Sequence, residues 1–312
     1  MVSTLPTRIL LATDGSEDAV LAAWAAMDLS NRVGSELYVV HVWHSVPSAH
    51  FGDFLRTQFE QEAREVLDDQ VERIERAGGK VVGAYLREGT PVDEILDLTE
   101  ELDPDLLMTG SRGRGSVQRL LLGSVSEGIV HGTTSPVLVM RGGERAWPPE
   151  RIVIGDDGSE EAKRAGDLAA SIGRLYDAKG HLVRTYPQLP EMDTEGRKLD
   201  ARMVDDELRR EQQELTVRAE EIDDASGIRP RIEIAVADDP AGALLSAVEE
   251  DAVERTLIAV GSRGLGTVRR LRLGSVSTKV LHAAKGPVLV YPLSEGSGPV
   301  LDVGGGDADR ER

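Results

Sequence analysis

The chain contains no cysteine, which excludes disulfides, thiolate catalysis and cysteine-ligated zinc together. Aromatic residues make up only 4% of its 312 positions, too few for a platform on which single-stranded bases would stack. Positive charge is also in short supply: 36 Lys and Arg stand against 55 Asp and Glu, a formal net charge of −19. Nucleic-acid binding needs a basic stripe, so neither DNA nor RNA is an expected partner. No run approaches the roughly 20 apolar residues of a membrane helix, and no membrane association is expected. Residues Met1 to Arg8 lack the charged-then-apolar pattern of a secretory signal. A soluble, cytoplasmic protein is the resulting expectation.

What the chain does have is a repeat. Its 40% apolar and 29% charged content fits globular domains. Arg8-Ile-Leu-Leu-Ala-Thr-Asp-Gly-Ser-Glu returns as Arg151-Ile-Val-Ile-Gly-Asp-Asp-Gly-Ser-Glu, an offset of 143 residues. Gly110-Ser-Arg-Gly-Arg-Gly-Ser-Val-Gln-Arg-Leu-Leu-Leu-Gly-Ser-Val-Ser returns from Gly261 at an offset of 151, so the second copy holds eight extra residues. Each copy has the usual size of a domain, and the repeat therefore reads as a duplicated domain and not a solenoid. The expected domains are residues 1–145 and 146–293, followed by a glycine-rich tail, 294–312, with little to bury and expected to be disordered. Gly142, Gly143, Pro148 and Pro149 mark Arg141 to Glu150 as the linker.

Within the first copy, short apolar runs alternate with amphipathic segments. Strands are predicted at Ile9–Ala12, Leu37–Val42, Lys80–Leu86, Asp105–Thr109 and Pro136–Met140. Helices are predicted from Glu17 to Arg32 with Ser16 as cap, from Phe54 to Ala77, from Pro91 to Leu102, and from Val125 to Gly132. The second copy repeats the strands at Ile152–Gly155, His181–Tyr186, Arg231–Ala237, Thr256–Val260 and Val288–Tyr291, with a longer middle helix from Asp193 to Ser226. Continuous apolar strands separated by helices imply an α/β fold, a parallel sheet covered on both faces.

The chemistry sits in Gly110-x2-Gly113-x9-Gly123-Ser124 and its copy Gly261-x2-Gly264-x9-Gly274-Ser275. Each follows the fourth strand, and its final Gly-Ser opens a helix. Glycine lets backbone N–H groups approach a phosphate, and the helix start adds unpaired donors and a partial positive charge. Ser124, Ser126, Ser275 and Ser277 offer hydroxyl donors. Asp14 and Asp157 end the first strand of each copy, where a carboxylate can accept hydrogen bonds from ribose hydroxyls or an adenine amino group; a plain turn or cap aspartate is the alternative. In a doubly wound sheet both features meet where the strand order reverses. The alternative for the glycines is tight turns and close helix packing. Ser116-Val117 stands where a P-loop requires Lys-Ser/Thr, and the glycine spacing is not that of a dinucleotide fold.

These residues resemble the universal stress protein family in its tandem two-domain form, over about Arg8 to Pro292. The resemblance rests on the glycine loop, the strand-one Asp, the turn Glu88–Pro91 and the closing Gly-Ser-Val-Ser, His and Pro-Val-Leu-Val elements. It implies two five-stranded sheets of adenine nucleotide alpha hydrolase-like type, strand order 3-2-1-4-5, and it implies ATP binding. Carried over by position, Asp14 and Val42 hold the adenosine, and Gly110, Arg112, Gly113, Gly123 and Ser124 line the ribose and phosphates, with Ala12, Thr109, Val125 and Ser126 beside them. In the second copy the same implication falls on Asp157, Gly261, Arg263, Gly264, Gly274 and Ser275, with Gly155, Thr185, Val260, Val276 and Ser277. Thr185 replaces Val42, and Asp238-Asp239-Pro240 replaces the Gly-Thr-Pro turn. Mg2+ or Mn2+ is expected to bridge the phosphates, with no metal held by side chains. Family members pair through the last strand, so Val137–Met140 and Val288–Val290 are expected to pair within the chain as a pseudo-dimer, with a homodimer beyond it.

The remaining titratable groups carry weaker signals. His131 and His282 are equivalent and read as structural, with no recurring acidic partner; the spacing of His41, His44 and His50 matches no metal motif. Arg114, Arg119, Arg269, Arg270 and Arg272 form a local basic cluster that could meet phosphates, a partner or solvent. The acidic helices Glu60–Glu75 and Asp205–Glu221 read as solvated faces. No lysine or histidine lies in the loops to serve as a base, so a nucleotide-dependent regulatory module is the leading expectation, and a slow ATPase or nucleotidyl-transfer enzyme is the alternative.

Overall fold

The computed structural model describes residues 5–44, 52–113, 122–188, 201–262 and 273–293. The basic cluster, His50, Arg263, Gly264 and the tail lie outside them. The first copy runs β1 (Arg8–Ala12), α1 (Glu17–Val33), β2 (Glu36–Trp43), α2 (Gly52–Arg76), β3 (Val81–Glu88), α3 (Pro91–Leu102), β4 (Leu106–Gly110), α4 (Ser124–Gly132) and β5 (Val137–Met140). The second runs β6 (Arg151–Gly155), α5 (Glu160–Arg174), β7 (Lys179–Tyr186), α6 (Ala201–Ser226), β8 (Arg231–Val236), α7 (Pro240–Ser246), β9 (Thr256–Gly261), α8 (Ser275–Ala283) and β10 (Val288–Tyr291). A 3-10 turn, Glu250–Arg255, precedes β9 and has no counterpart in the first copy.

Local chemistry explains the boundaries. Ser16 and Ser159 cap α1 and α5, each hydroxyl accepting from the N–H three residues on. Gly34 ends α1 with φ 83°, a left-handed turn whose N–H bonds back to Ser30. Pro91 and Pro240 open α3 and α7, where a missing N–H costs nothing.

All ten strands lie in one sheet, ordered β3-β2-β1-β4-β5-β10-β9-β6-β7-β8. Each half has the 3-2-1-4-5 order with parallel neighbours. The halves meet where β10 runs antiparallel to β5, with Val288 opposite Val139 and Val290 opposite Val137. The expected pair of five-stranded sheets is thus one ten-stranded sheet, which removes two edges that would otherwise expose unpaired N–H and C=O groups. The antiparallel seam sends the carboxyl ends of the two halves to opposite rims.

The pleat sorts the core. Ile9, Leu11, Met108, Ile154 and Leu289 face α1, α2, α5 and α6; Leu10, Val40, Leu107, Val260 and Val290 face α3, α4, α7 and α8. Both clusters cross the seam, and each fully buried Leu or Ile contributes about 1.5–3 kcal/mol. The segment between the copies is packed, not loose. Trp147 is buried and its Nε1 donates to Asp28 Oδ2 at 2.9 Å; the Tyr176 hydroxyl donates to the same oxygen at 2.7 Å. Burial raises the Tyr176 pKa well above the usual phenol value, and that hydrogen bond adds to it. Buried Arg141 donates to the carbonyls of Leu281 and Ala284 at the end of α8, at 2.5 and 2.8 Å. Among the described residues no helix is long and apolar enough to cross a membrane.

Candidate functional site

The strand order of the first half reverses between β1 and β4, which pair directly from Ile9–Leu106 to Ala12–Thr109. The segments leaving these two strands are Asp14-Gly15-Ser16 and the glycine loop. Gly15 has φ 73°, which lets the chain turn sharply from β1 into α1. Asp14 Oδ1 accepts from Ser16 N–H at 3.0 Å, so the turn reading of this aspartate holds for one oxygen. Its other oxygen faces the glycine loop: a Cβ on Gly113 would lie 2.5 Å from Asp14 Oδ2. The two features meet at the topological switch point, where α/β sheets hold their ligands.

The glycines divide into two kinds. A Cβ on Gly110 would stand 2.6–2.8 Å from the backbone of Asp18 and Ala19, and one on Gly261 would stand 2.8 Å from Ala162 N. Both therefore serve close strand–helix packing. Gly123 precedes α4 as its N-cap and its own N–H bonds to Ser111 O at 2.7 Å; Gly274 does the same to Ser262 O at 2.6 Å. The next N–H groups, of Ser124, Val125 and Ser126, have no preceding helical carbonyl to bond. They form the donor set of the cleft, with the positive end of the α4 dipole behind them. Ser275, Val276 and Ser277 stand in the same relation to α8.

Side chains expected around phosphates are partly engaged elsewhere. Ser126 Oγ is buried and donates to Gly110 O at 2.7 Å, and Ser277 Oγ to Gly261 O at 2.6 Å. These hydroxyls tie each helix to its strand end; the exposed hydroxyls of Ser124 and Ser275 are the ones that face solvent. Arg112 grips Asp18 with two hydrogen bonds, Nε to Oδ2 and Nη2 to Oδ1, both 2.9 Å. That pairing raises the Arg112 pKa, outweighing its partial burial. Ala12 and Thr109 are buried in the sheet beneath the cleft and Val42 is half-buried at the end of β2.

The second copy keeps the backbone and changes the chemistry. Asp157 is exposed, and its Oδ1 accepts from both the N–H and the hydroxyl of Ser159, at 3.0 and 2.6 Å. Thr185 is half-buried at the end of β7, as Val42 is in the first copy, and Val260 is buried. Gly155 makes room for Leu244, which a Cβ there would meet at 2.9 Å. Beneath the mouth, Arg184 reaches Asp156 at 2.7 Å and Glu211 and Glu214 of α6 at 2.7 and 3.0 Å. Burial alone would lower the Arg184 pKa, but the hydrogen bonds it donates to Glu211 and Asp156 win and raise it. In the first copy Thr13 and His41 hold the corresponding places: Thr13 Oγ1 donates to Gln70 Oε1 at 3.2 Å, and His41 Nδ1 lies 2.8 Å from Thr13 O.

Sequence reasoning missed Asp18, Arg141 and the Asp156–Arg184 pair. Asp18 and Glu161 do recur as acids at the 143-residue offset, but an acid in a first helical turn is too common to stand out. The acidic α6 is only partly a solvated face, because Glu211 and Glu214 turn to Arg184, and Arg218 turns to Asp167 at 2.7 Å. His282 does have a carboxylate near it, Glu127 of the other copy, at 3.6 Å.

With this geometry in hand, comparison with known proteins is informative. The model of the universal stress protein family matches residues 6–141 and again 149–292. A universal stress protein of Mycobacterium tuberculosis is 28% identical over 297 residues, covering 90% of this chain and 96% of that protein. One from Thermus aquaticus is 35% identical over 138 residues, covering 43% of this chain and 97% of its own. The crystal structure of a universal stress protein from Archaeoglobus fulgidus superposes with a TM-score of 0.64 at 26% identity, covering 93% of this chain and 98% of that one. Two matched segments, a doubled cleft and a shared whole-chain architecture agree: the chain belongs to the universal stress protein family, with two copies of the family's domain in tandem.

Proposed function

We propose that each copy binds ATP at the cleft between its first and fourth strands, and that the protein acts as a nucleotide-dependent regulatory module in the cytoplasm. The observation that carries this reading is the meeting of Asp14 and Gly113 directly ahead of the unpaired N–H groups of α4. In this reading Asp14 takes a ribose or adenine donor, and the N–H groups of Ser124, Val125 and Ser126 donate to phosphate oxygens. In the second copy Asp157 and the start of α8 take these roles. Mg2+ or Mn2+ enters with the phosphates and offsets their charge in a protein of net charge −19. The antiparallel β5–β10 seam supports an intrachain pseudo-dimer whose two sites open on opposite rims, and a homodimer of such chains would place four sites in one assembly.

The test is isothermal titration of purified protein with ATP and Mg2+. Two ATP bound per chain is the expected result. The Gly123→Val, Gly274→Val variant should bind none, since a Cβ at Gly123 already stands 3.2 Å from Ser111 O and larger branches would crowd the loop. Full binding by that variant would overturn the assignment.

A further inference from the structure

We propose that Asp18 is the positioning residue of the first copy's phosphate loop: it holds Ser111 and Arg112 at the loop's opening, so that phosphate is met by backbone N–H groups and not by the Arg112 guanidinium. This rests on reading the cleft as a nucleotide site. The Asp18 carboxylate is 8% exposed and receives three hydrogen bonds, from Ser111 Oγ at 2.6 Å and from Arg112 Nε and Nη2 at 2.9 Å each. The bidentate fork fixes the plane of the guanidinium as well as its distance. The backbone is held from the same helix turn, because Ser16 Oγ donates to Arg112 O at 3.0 Å and Gly110 abuts Asp18 and Ala19. The start of α1 favours a carboxylate there through its dipole. Turning Arg112 to a phosphate would strand a buried carboxylate without its cation and leave the fully buried Ser111 hydroxyl with a crowded, unbalanced partner.

The second copy is the natural control. Its acid is Glu161, one methylene longer and also buried, and the equivalent hydroxyl, Ser262 Oγ, is buried without a hydrogen-bond partner. The three-bond latch of the first copy is therefore not reproduced at its serine. A loop that is set in advance loses less freedom on binding phosphate.

The experiment titrates ATP and, separately, adenosine into full-length protein carrying Gly274→Val, which leaves the first site to be read alone. Asp18→Asn and Arg112→Met are compared singly and together. Each single change should weaken ATP by about tenfold, the double should be no worse than the worse single, and adenosine should stay within about twofold. A general structural defect would weaken adenosine as much as ATP, and that result overturns the proposal. So does an Asp18→Asn protein that binds ATP as well as or better than its parent while Arg112→Met loses binding, because then the guanidinium touches phosphate. Should Asp18→Asn fail to fold, Asp18→Glu imposes the second copy's side chain and is read in the same way. Amide exchange in nucleotide-free protein separates the two layers of the argument. Faster exchange at residues 110–113 in the Asp18 variant supports the latch even if ATP does not bind, and unchanged exchange overturns it.

Discussion

At the mouth of the first copy the strand ends are tied through Thr13, whose hydroxyl donates to Gln70 and whose carbonyl lies 2.8 Å from His41 Nδ1. At the mouth of the second, the same two strand ends are tied by charge, Asp156 to Arg184 and Arg184 onward to Glu211 and Glu214 of α6. The backbones are alike, with equivalent turns, equivalent helix starts and equivalent glycines. Duplication therefore preserved the described turns and helix starts around the cleft while the layer beneath it was rebuilt. The two ties serve the same geometry but fail differently: breaking the first costs a hydroxyl its acceptor while Gly15 N–H still bonds it, and breaking the second leaves a buried charge.

The largest effect should come from breaking the ionic tie. Arg184→Met leaves Asp156, whose side chain is 2% exposed, without its cation and should cost about 3–5 kcal/mol. Gln70→Met in the first copy removes the acceptor of the Thr13 hydroxyl, which still accepts from Gly15 N–H, and should cost about 1 kcal/mol. Denaturant unfolding of the two variants measures both, and equal losses would break the distinction between the copies.

A smaller effect is expected at the seam, where the copies again differ. Asp28 of α1 serves Trp147 and Tyr176, whereas the residue at its position in the second copy, Ser171, donates to Asp167 O within its own helix. Asp28→Ala removes the acceptor of two donors and should lower stability by about 1–3 kcal/mol, with a change in tryptophan emission as Trp147 loses its partner. Ser171→Ala should be nearly silent in both readouts.

The smallest expected effect is on pH dependence. Asp105 precedes β4 and accepts from Thr7 N–H, Thr7 Oγ1 and Arg8 N–H; partial burial pushes its pKa up, but these bonds outweigh it and hold the pKa below the usual carboxylate range. A depressed pKa means that the contribution is present above the unfolded-state value, near 3.9, and is lost as pH falls through the folded one. Thr256 holds the equivalent place in the second copy and cannot titrate. Asp105→Asn should therefore lower thermal stability slightly near pH 7, where the contribution is fully present, and flatten its acid limb. An unchanged acid limb would show that this anchor contributes nothing.

Much of the fold was legible along the chain because its signals are local. The helix with Pro91 in its first turn, running to about Leu102, was placed correctly, since Pro at the first turn and a polar break after Leu102 are both short-range signals. The start of α1 followed in the same way from Ser16. The second copy's α7 was harder: it spans seven residues where α3 spans twelve, and the 3-10 turn after it has no strong sequence mark. At the cleft, Asp14 and the glycine loop were legible because both sit at strand ends with turn chemistry. The roles of individual side chains were less so. Arg112 looks from sequence like a phosphate ligand, and it takes the packing of α1 against β4 to show that Asp18 holds it.

Residues near one another in the chain determined the duplication, the order of strands and helices, the caps, and the position of each glycine loop, because periodicity and turn preference act over a few residues. Tertiary packing decided which charges and hydroxyls find each other: Asp18 with Arg112, 94 positions apart, Asp156 with Arg184, and Asp28 with Trp147 and Tyr176. Such pairs form only when two elements are brought within about 3 Å, and that distance depends on how the whole sheet and its helices close around a shared core.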